Sequence, residues 1–175
     1  MLMIYDGVTD QLLADPVKDI THRTGDWTLR FLIITLAITP VRQIFGWPQI
    51  VRLRRMFGLY SFFYVCLHFA VYLLDQNFSL DEIIVDVTKR PYITVGFTAF
   101  VLMVPLALTS NRYSMLKLGR RWKSLHRLIY VISVAAILHY LWLVKADVRE
   151  PVIYGLIVIA LLTWRAVRSR TRQTI

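Results

Sequence analysis

The chain has 175 residues, 57% of them hydrophobic, and a formal net charge of +10. A soluble domain is roughly 45–50% apolar, with its apolar residues in short periodic runs. Here they come in long blocks, which excludes an ordinary globular domain and points to an all-α, polytopic membrane helix bundle with no second domain and no solenoid repeat. The basic surplus would suggest nucleic acid in a soluble protein, but its placement between apolar blocks argues against that and for lipid contact instead. Cys66 is the one cysteine and lies in an apolar run, so no intramolecular disulfide can form.

Residues 1–26 (MLMIYDGVTDQLLADPVKDITHRTGD) are polar, acidic and turn-rich. They read as a surface segment, with room for a short amphipathic helix and without the long apolar core of a cleavable signal peptide. Five apolar segments follow, at 27–44, 55–74, 91–109, 122–145 and 151–167, each near the roughly 20 residues that cross a bilayer core. Pro40 falls near the end of the first. Pro91 opens the third at a first-turn position, and Pro105 is expected to kink it. The expected organisation is a polar periplasmic segment over 1–26, a transmembrane domain over 27–167 and a basic cytoplasmic tail over 168–175.

The connections alternate in charge. Arg42, Arg52, Arg54 and Arg55 follow the first span, and Arg112, Lys117, Arg120, Arg121 and Lys123 precede the fourth, with no acid among them. Arg165, Arg168, Arg170 and Arg172 close the chain. All 11 acids fall on the opposite side. Basic residues stay cytoplasmic, so the N-terminus is expected in the periplasm and the C-terminus in the cytoplasm. Trp27, Trp47, Trp122, Trp142 and Trp164 sit at span ends, as an aromatic belt requires.

Three histidines lie in apolar segments: His68 in the second, His126 and His139 in the fourth. An imidazole in a bilayer is costly unless it binds something. Counting from His68 to Asp75 and from His139 to Lys145, the charged outer ends of their segments, puts both at matching height, about 10 Å below the outer surface. Two such histidines can supply the axial ligands of one b-type haem, and Ala70, Ala135 and Ala136 beside them leave room for a flat macrocycle. The competing reading is a pair of core histidines hydrogen-bonded to neighbouring groups. His126 lies about 20 Å lower, and the positions where a partner would be expected hold Arg54 and Arg55. A second haem there would need an unconventional ligand, a water or an open position. Contact with a quinone or flavin, or an interfacial role, is equally open for His126. His22 reads as a solvated loop residue.

The runs DPVKDITHRTGDW, RRMFGLYSFFYVCLHF, KRPYITVGFTAF, LALTS and LGRRWKSLHRLIYVISVAAILHYLWLVK together resemble the MsrQ (YedZ) family, within the ferric reductase-like transmembrane superfamily. The resemblance covers nearly everything from Asp15 through the last apolar segment. It implies an inner-membrane subunit that passes electrons from the quinone pool, through haem b (one or two), to MsrP, a periplasmic molybdopterin reductase that repairs oxidised methionines. It implies haem roles for His68, His126 and His139, an association with FMN, and a cytoplasmic flavin reductase as a further candidate donor. Arg54 and Arg55, with the cluster 120–123, are candidate contacts for an inner-side cofactor, although topology explains the same charges. Relatives are expected to carry another apolar helix ahead of the DPVKDI-like segment, six spans against five here. The tail after Val167 is too short for the flavin and nicotinamide domains of full ferric reductases, so electrons are expected from quinol or a separate reductase. The alternative reading is a metal reductase releasing electrons to a small periplasmic acceptor. A transporter or scaffold is disfavoured because the first, third and fifth segments carry almost no polar residues for a substrate path.

Overall fold

The structure, a computed structural model, describes residues 16–144 and 147–171. Among them there is no strand, and five helical segments are long and apolar enough to span a bilayer: 16–45, 48–75, 91–108, 120–143 and 149–168. The chain is thus an all-α, multi-pass membrane bundle with the five spans expected from the apolar blocks.

Helix α1, Pro16–Phe45, starts well before the expected boundary at Trp27. The polar stretch 16–26, read above as a surface segment, is therefore the first turns of the first span. Its composition hides this, because the hydroxyls are satisfied by the helix itself. Thr21, Thr24, Thr28 and Thr35 each donate to the carbonyl one turn back, at 2.7–2.9 Å, and Arg23 pairs with Asp19 at 2.8 Å. A threonine so bonded presents little but its methyl to its neighbours. His22 is accordingly a part-buried helix residue and not a loop residue. Residues 1–15 lie outside the described residues.

Gly46, at φ +66°, ends α1 in a left-handed turn that an L side chain rarely adopts. A 3₁₀ turn, Pro48–Arg52, leads into α2, Leu53–Asp75. The next connection, between the second and third apolar segments, folds into a short helix, α3, Leu80–Lys89. Ser79 caps it by accepting from the Glu82 amide at 3.4 Å. The Ser-x-x-Glu spacing is the sequence signature of such a cap. Asp86 of α3 is buried, pairs with Arg90 at 3.2 Å and accepts from the Tyr72 hydroxyl at 3.4 Å, which fastens α3 to α2.

Helix α4, Pro91–Leu108, begins at Pro91 as expected. The basic connection holds α5, Arg112–Leu118, capped by Asn111, and α6, Arg120–Leu125, which follows Gly119 at φ +50°. Helix α7, Leu128–Leu143, is separated from α6 by a turn at His126 and Arg127. The expected continuous helix over 122–145 is therefore interrupted at its lower histidine. Helix α8, Arg149–Thr171, extends into the stretch read as a tail.

Helix α1 packs along α2 and α4 along α7, with α8 against α7 and α1. Leu29, Leu32, Leu36, Met103, Leu106, Ile129 and Ile132 form the interior. Lipid tails are as apolar as leucine, so helices in a bilayer associate by close packing and interhelical hydrogen bonds and not by leaving water. Small polar residues mark the seams: Ser61 and Ser133 are both 0% exposed, each donating its hydroxyl to a backbone carbonyl. Phe63, Val101, Val131 and Leu156 stay exposed, as a lipid-facing surface requires.

Candidate cofactor site

His68 projects from α2 and His139 from α7 into the bundle interior. The structure brings their rings together, with centroids 6.2 Å apart and planes at 88°. Both line a chamber of about 310 Å³, at the low end of the range for organic ligands. Phe69, Phe97 and Phe100 give it an aromatic wall, with Phe69 and Phe100 stacked at 4.8 Å. Of the three alanines singled out for making room, Ala136 lines the chamber, Ala135 packs against the core, and Ala70 faces outward. His22 also lines it, with Asp26, Asp75, Asp86, Arg90 and Tyr140.

Each imidazole is oriented by a backbone carbonyl. His68 Nδ1 lies 2.9 Å from the Thr21 carbonyl and His139 Nδ1 lies 2.7 Å from the Tyr92 carbonyl. A carbonyl only accepts, so in both rings Nδ1 carries the proton and Nε2 keeps its lone pair free for a metal. This is the outer-shell contact that metal-binding histidines commonly make. The spacing also suits a shared ion. A metal–imidazole bond is about 2 Å and the ring centre lies about 1 Å behind the nitrogen, so two rings across one metal stand about 6 Å apart. The chamber, the free nitrogens and the ring separation fit a planar metal macrocycle held between His68 and His139.

His126 belongs to a different place. It is absent from the chamber lining and sits at the turn between α6 and α7. Its Nε2 is 3.0 Å from the Thr109 hydroxyl, and Trp122 stacks on it at 4.0 Å while donating its indole N–H to the Thr109 carbonyl at 2.9 Å. Arg54 is part-buried and close enough to act electrostatically on both His126 and Arg165, whereas Arg55 is exposed. Arg165 in turn lies over the Tyr130 ring at 5.1 Å and donates to its hydroxyl. This end of the bundle thus gathers His126, Arg54 and Arg165 on α2, α8 and the α6–α7 turn.

Sequence reasoning missed three contributors. Gly25 and Gly96 stand against the two histidines, and Arg165 was grouped with the tail charges. A glycine inside an apolar span is the signal that could have found Gly96, since small residues mark close helix approach.

The chain is a multi-pass membrane protein of the ferric reductase-like type. Residues 24–137 match the family "Ferric reductase like transmembrane component", a range that includes His68 and His126 and ends just before His139. The chain is 53% identical over 163 residues to the protein-methionine-sulfoxide reductase heme-binding subunit MsrQ of Xanthomonas euvesicatoria, covering 93% of this chain and 75% of that one. The MsrQ of Herminiimonas arsenicoxydans is 54% identical over 90% of this chain and 74% of its own. That of Xanthomonas axonopodis pv. citri is 51% identical over 98% and 79%. No solved structure gives a significant match. The chain belongs to the MsrQ family.

Proposed function

We propose that this chain is a b-type haem electron-transfer subunit that carries electrons from the quinone pool across the bacterial inner membrane to an MsrP-like periplasmic molybdopterin reductase, for repair of oxidised periplasmic proteins. The observation that carries the reading is the His68–His139 pair, 6.2 Å apart, with both Nδ1 atoms held by carbonyls. The relatives' names, heme-binding subunits of a methionine sulfoxide reductase, supply the cofactor and the kind of partner.

In this reading the Nε2 atoms of His68 and His139 would hold the haem, which would supply a one-electron carrier. The carbonyls of Thr21 and Tyr92 keep the Nδ1 protons in place and fix the ring orientations. Phe69, Phe97 and Phe100 give the chamber an apolar wall. The acidic end, with Asp75, Asp86 and Glu150, faces the periplasm, and the arginine-rich end faces the cytoplasm. Electrons enter at the cytoplasmic end, from quinol or through FMN and a flavin reductase. There His126, Arg54 and Arg165 would hold a second haem or another anionic cofactor, with the exposed Arg55 outside the contact.

A reduced-minus-oxidised spectrum of the purified protein tests the proposal. A b-type α-band is expected, and it should be lost in His68→Ala and His139→Ala. A spectrum without that band would end the haem reading. The family match to ferric reductases favours a second reading, delivery to a small periplasmic acceptor. Co-purification of a molybdopterin enzyme with the tagged subunit separates the two.

A further inference from the structure

The two histidines are held by the same device on two different helix pairs. In α1 the carbonyl of Thr21 accepts from His68, and Gly25, one turn further along, faces the same ring. In α4 the carbonyl of Tyr92 accepts from His139, and Gly96, again one turn further along, faces that ring. Both carbonyls precede their histidines by 47 positions. The pairs α1–α2 and α4–α7 therefore present their imidazoles in the same way, one from each side of the chamber.

The glycines make this geometry possible. A Cβ at position 96 would stand 2.6 Å from His139 Nδ1 and 2.8 Å from its Cε1, closer than real Cβ atoms come. A Cβ at position 25 would stand 3.3 Å from the same two atoms of His68, a contact that a shift of a few tenths of an ångström relieves. A ring moved off Gly96 leaves the Tyr92 carbonyl, which already sits 2.7 Å from Nδ1. At Gly96 the carbonyl bond and the bare Cα are thus one device, since the His139 ring reaches the backbone only because no side chain stands beside it; at Gly25 the same arrangement is looser.

We infer that Gly25 and Gly96 are positioning residues which set the orientation and basicity of His68 and His139, and through them the reduction potential of the bound haem; this rests on the haem reading above. A carbonyl accepting from Nδ1 makes the imidazole a stronger electron donor and favours ferric iron. Loosening that bond makes the ligand a weaker donor and raises the potential.

The test uses the full chain in detergent with Gly96→Ala, Gly25→Ala and Gly58→Ala. Gly58 is the control, because its added Cβ would meet only Thr35 Cγ2 at 3.8 Å, an ordinary contact. Haem content, the low-spin ferric electron paramagnetic resonance signal and the midpoint potential are measured for each. Gly96→Ala should weaken haem binding about 10- to 100-fold, the usual loss when an outer-shell partner of a metal ligand is removed. Gly25→Ala should retain haem with a raised potential and an altered resonance signal, and Gly58→Ala should match wild type. Wild-type potential and signal in Gly25→Ala overturn the inference, as does wild-type affinity in a folded Gly96→Ala. Should Gly96→Ala fail to fold, Gly25→Ala decides alone. A wild-type protein without haem would instead refute the haem reading, whatever the glycine variants do.

Discussion

Ser61 separates two accounts of what holds α1 against α2. It is 0% exposed, lies two turns before His68 on α2, and donates its hydroxyl to the Thr28 carbonyl of α1 at 2.9 Å. If the hydrogen bond is the glue, Ser61→Ala should be costly. If close approach is what matters, alanine, which is nearly the same size, should be tolerated. Interhelical hydrogen bonds in a bilayer average about 0.6 kcal/mol, because the unassembled helices find other partners. That loss corresponds to a fall of about 1–2 °C in melting temperature for a chain of this size. Ser61→Leu forces extra atoms into a site with no free surface, a change that costs about 1–3 kcal/mol and therefore about 2–12 °C. It also drives α1 off α2, and with it Gly25 and the Thr21 carbonyl off His68. Thermal melts in detergent, followed by helix signal and haem absorbance together, give the answer. Alanine should change neither trace much, and leucine should release haem at lower temperature. An alanine variant as unstable as the leucine variant would refute the close-approach account.

His126→Ala and Thr109→Val should leave the spectral component of the His68–His139 chamber intact, since neither residue lines it. Any second component should weaken in both, because Thr109 Oγ1 meets His126 Nε2 at 3.0 Å; an unchanged second component excludes His126 as its contact. For orientation, cysteines replacing Asp81 and Lys117 in a Cys66→Ser background should react oppositely with an impermeant maleimide, Asp81→Cys in intact spheroplasts and Lys117→Cys only after permeabilisation. The reverse order would invert the topology.

The five spans and the shared height of His68 and His139 could be read from the sequence because both depend on counting. Block length sets the span, and residues from a charged edge set depth. What resisted reading were places where one local interaction overrides composition. Thr21, Thr24 and Thr28 look polar on paper, yet each hydroxyl is bonded back to its own helix, so α1 begins within a stretch that counts as hydrophilic. Helix α3 was announced by the Ser79–Glu82 spacing, but at ten residues it falls below the length of the apolar blocks that mark the spans. Gly25 was invisible because a missing side chain acquires meaning only from the ring opposite it, whereas Gly96, a glycine within an apolar span, signalled close approach without naming the ring it admits. Arg165 was explained too early: topology accounts for its charge, and only the fold sets it beside Tyr130 and Arg54.

The two ends of the α6–α7 segment are built from different materials, and this bears on how each can change. At the acidic end, His68 and His139 are fixed by main-chain carbonyls, which survive any substitution that preserves the helices and the two glycines. At the basic end, His126 is fixed by the side chains of Thr109 and Trp122, next to arginines with no acid in the intervening loops. The turn at His126 and Arg127 stays in the right-handed helical region but departs from ideal α-helical values, so a count of residues along one ideal helix does not by itself fix the angle between His126 and His139. Single side-chain changes at the basic end can therefore move His126 while the geometry of the paired histidines stays as it is.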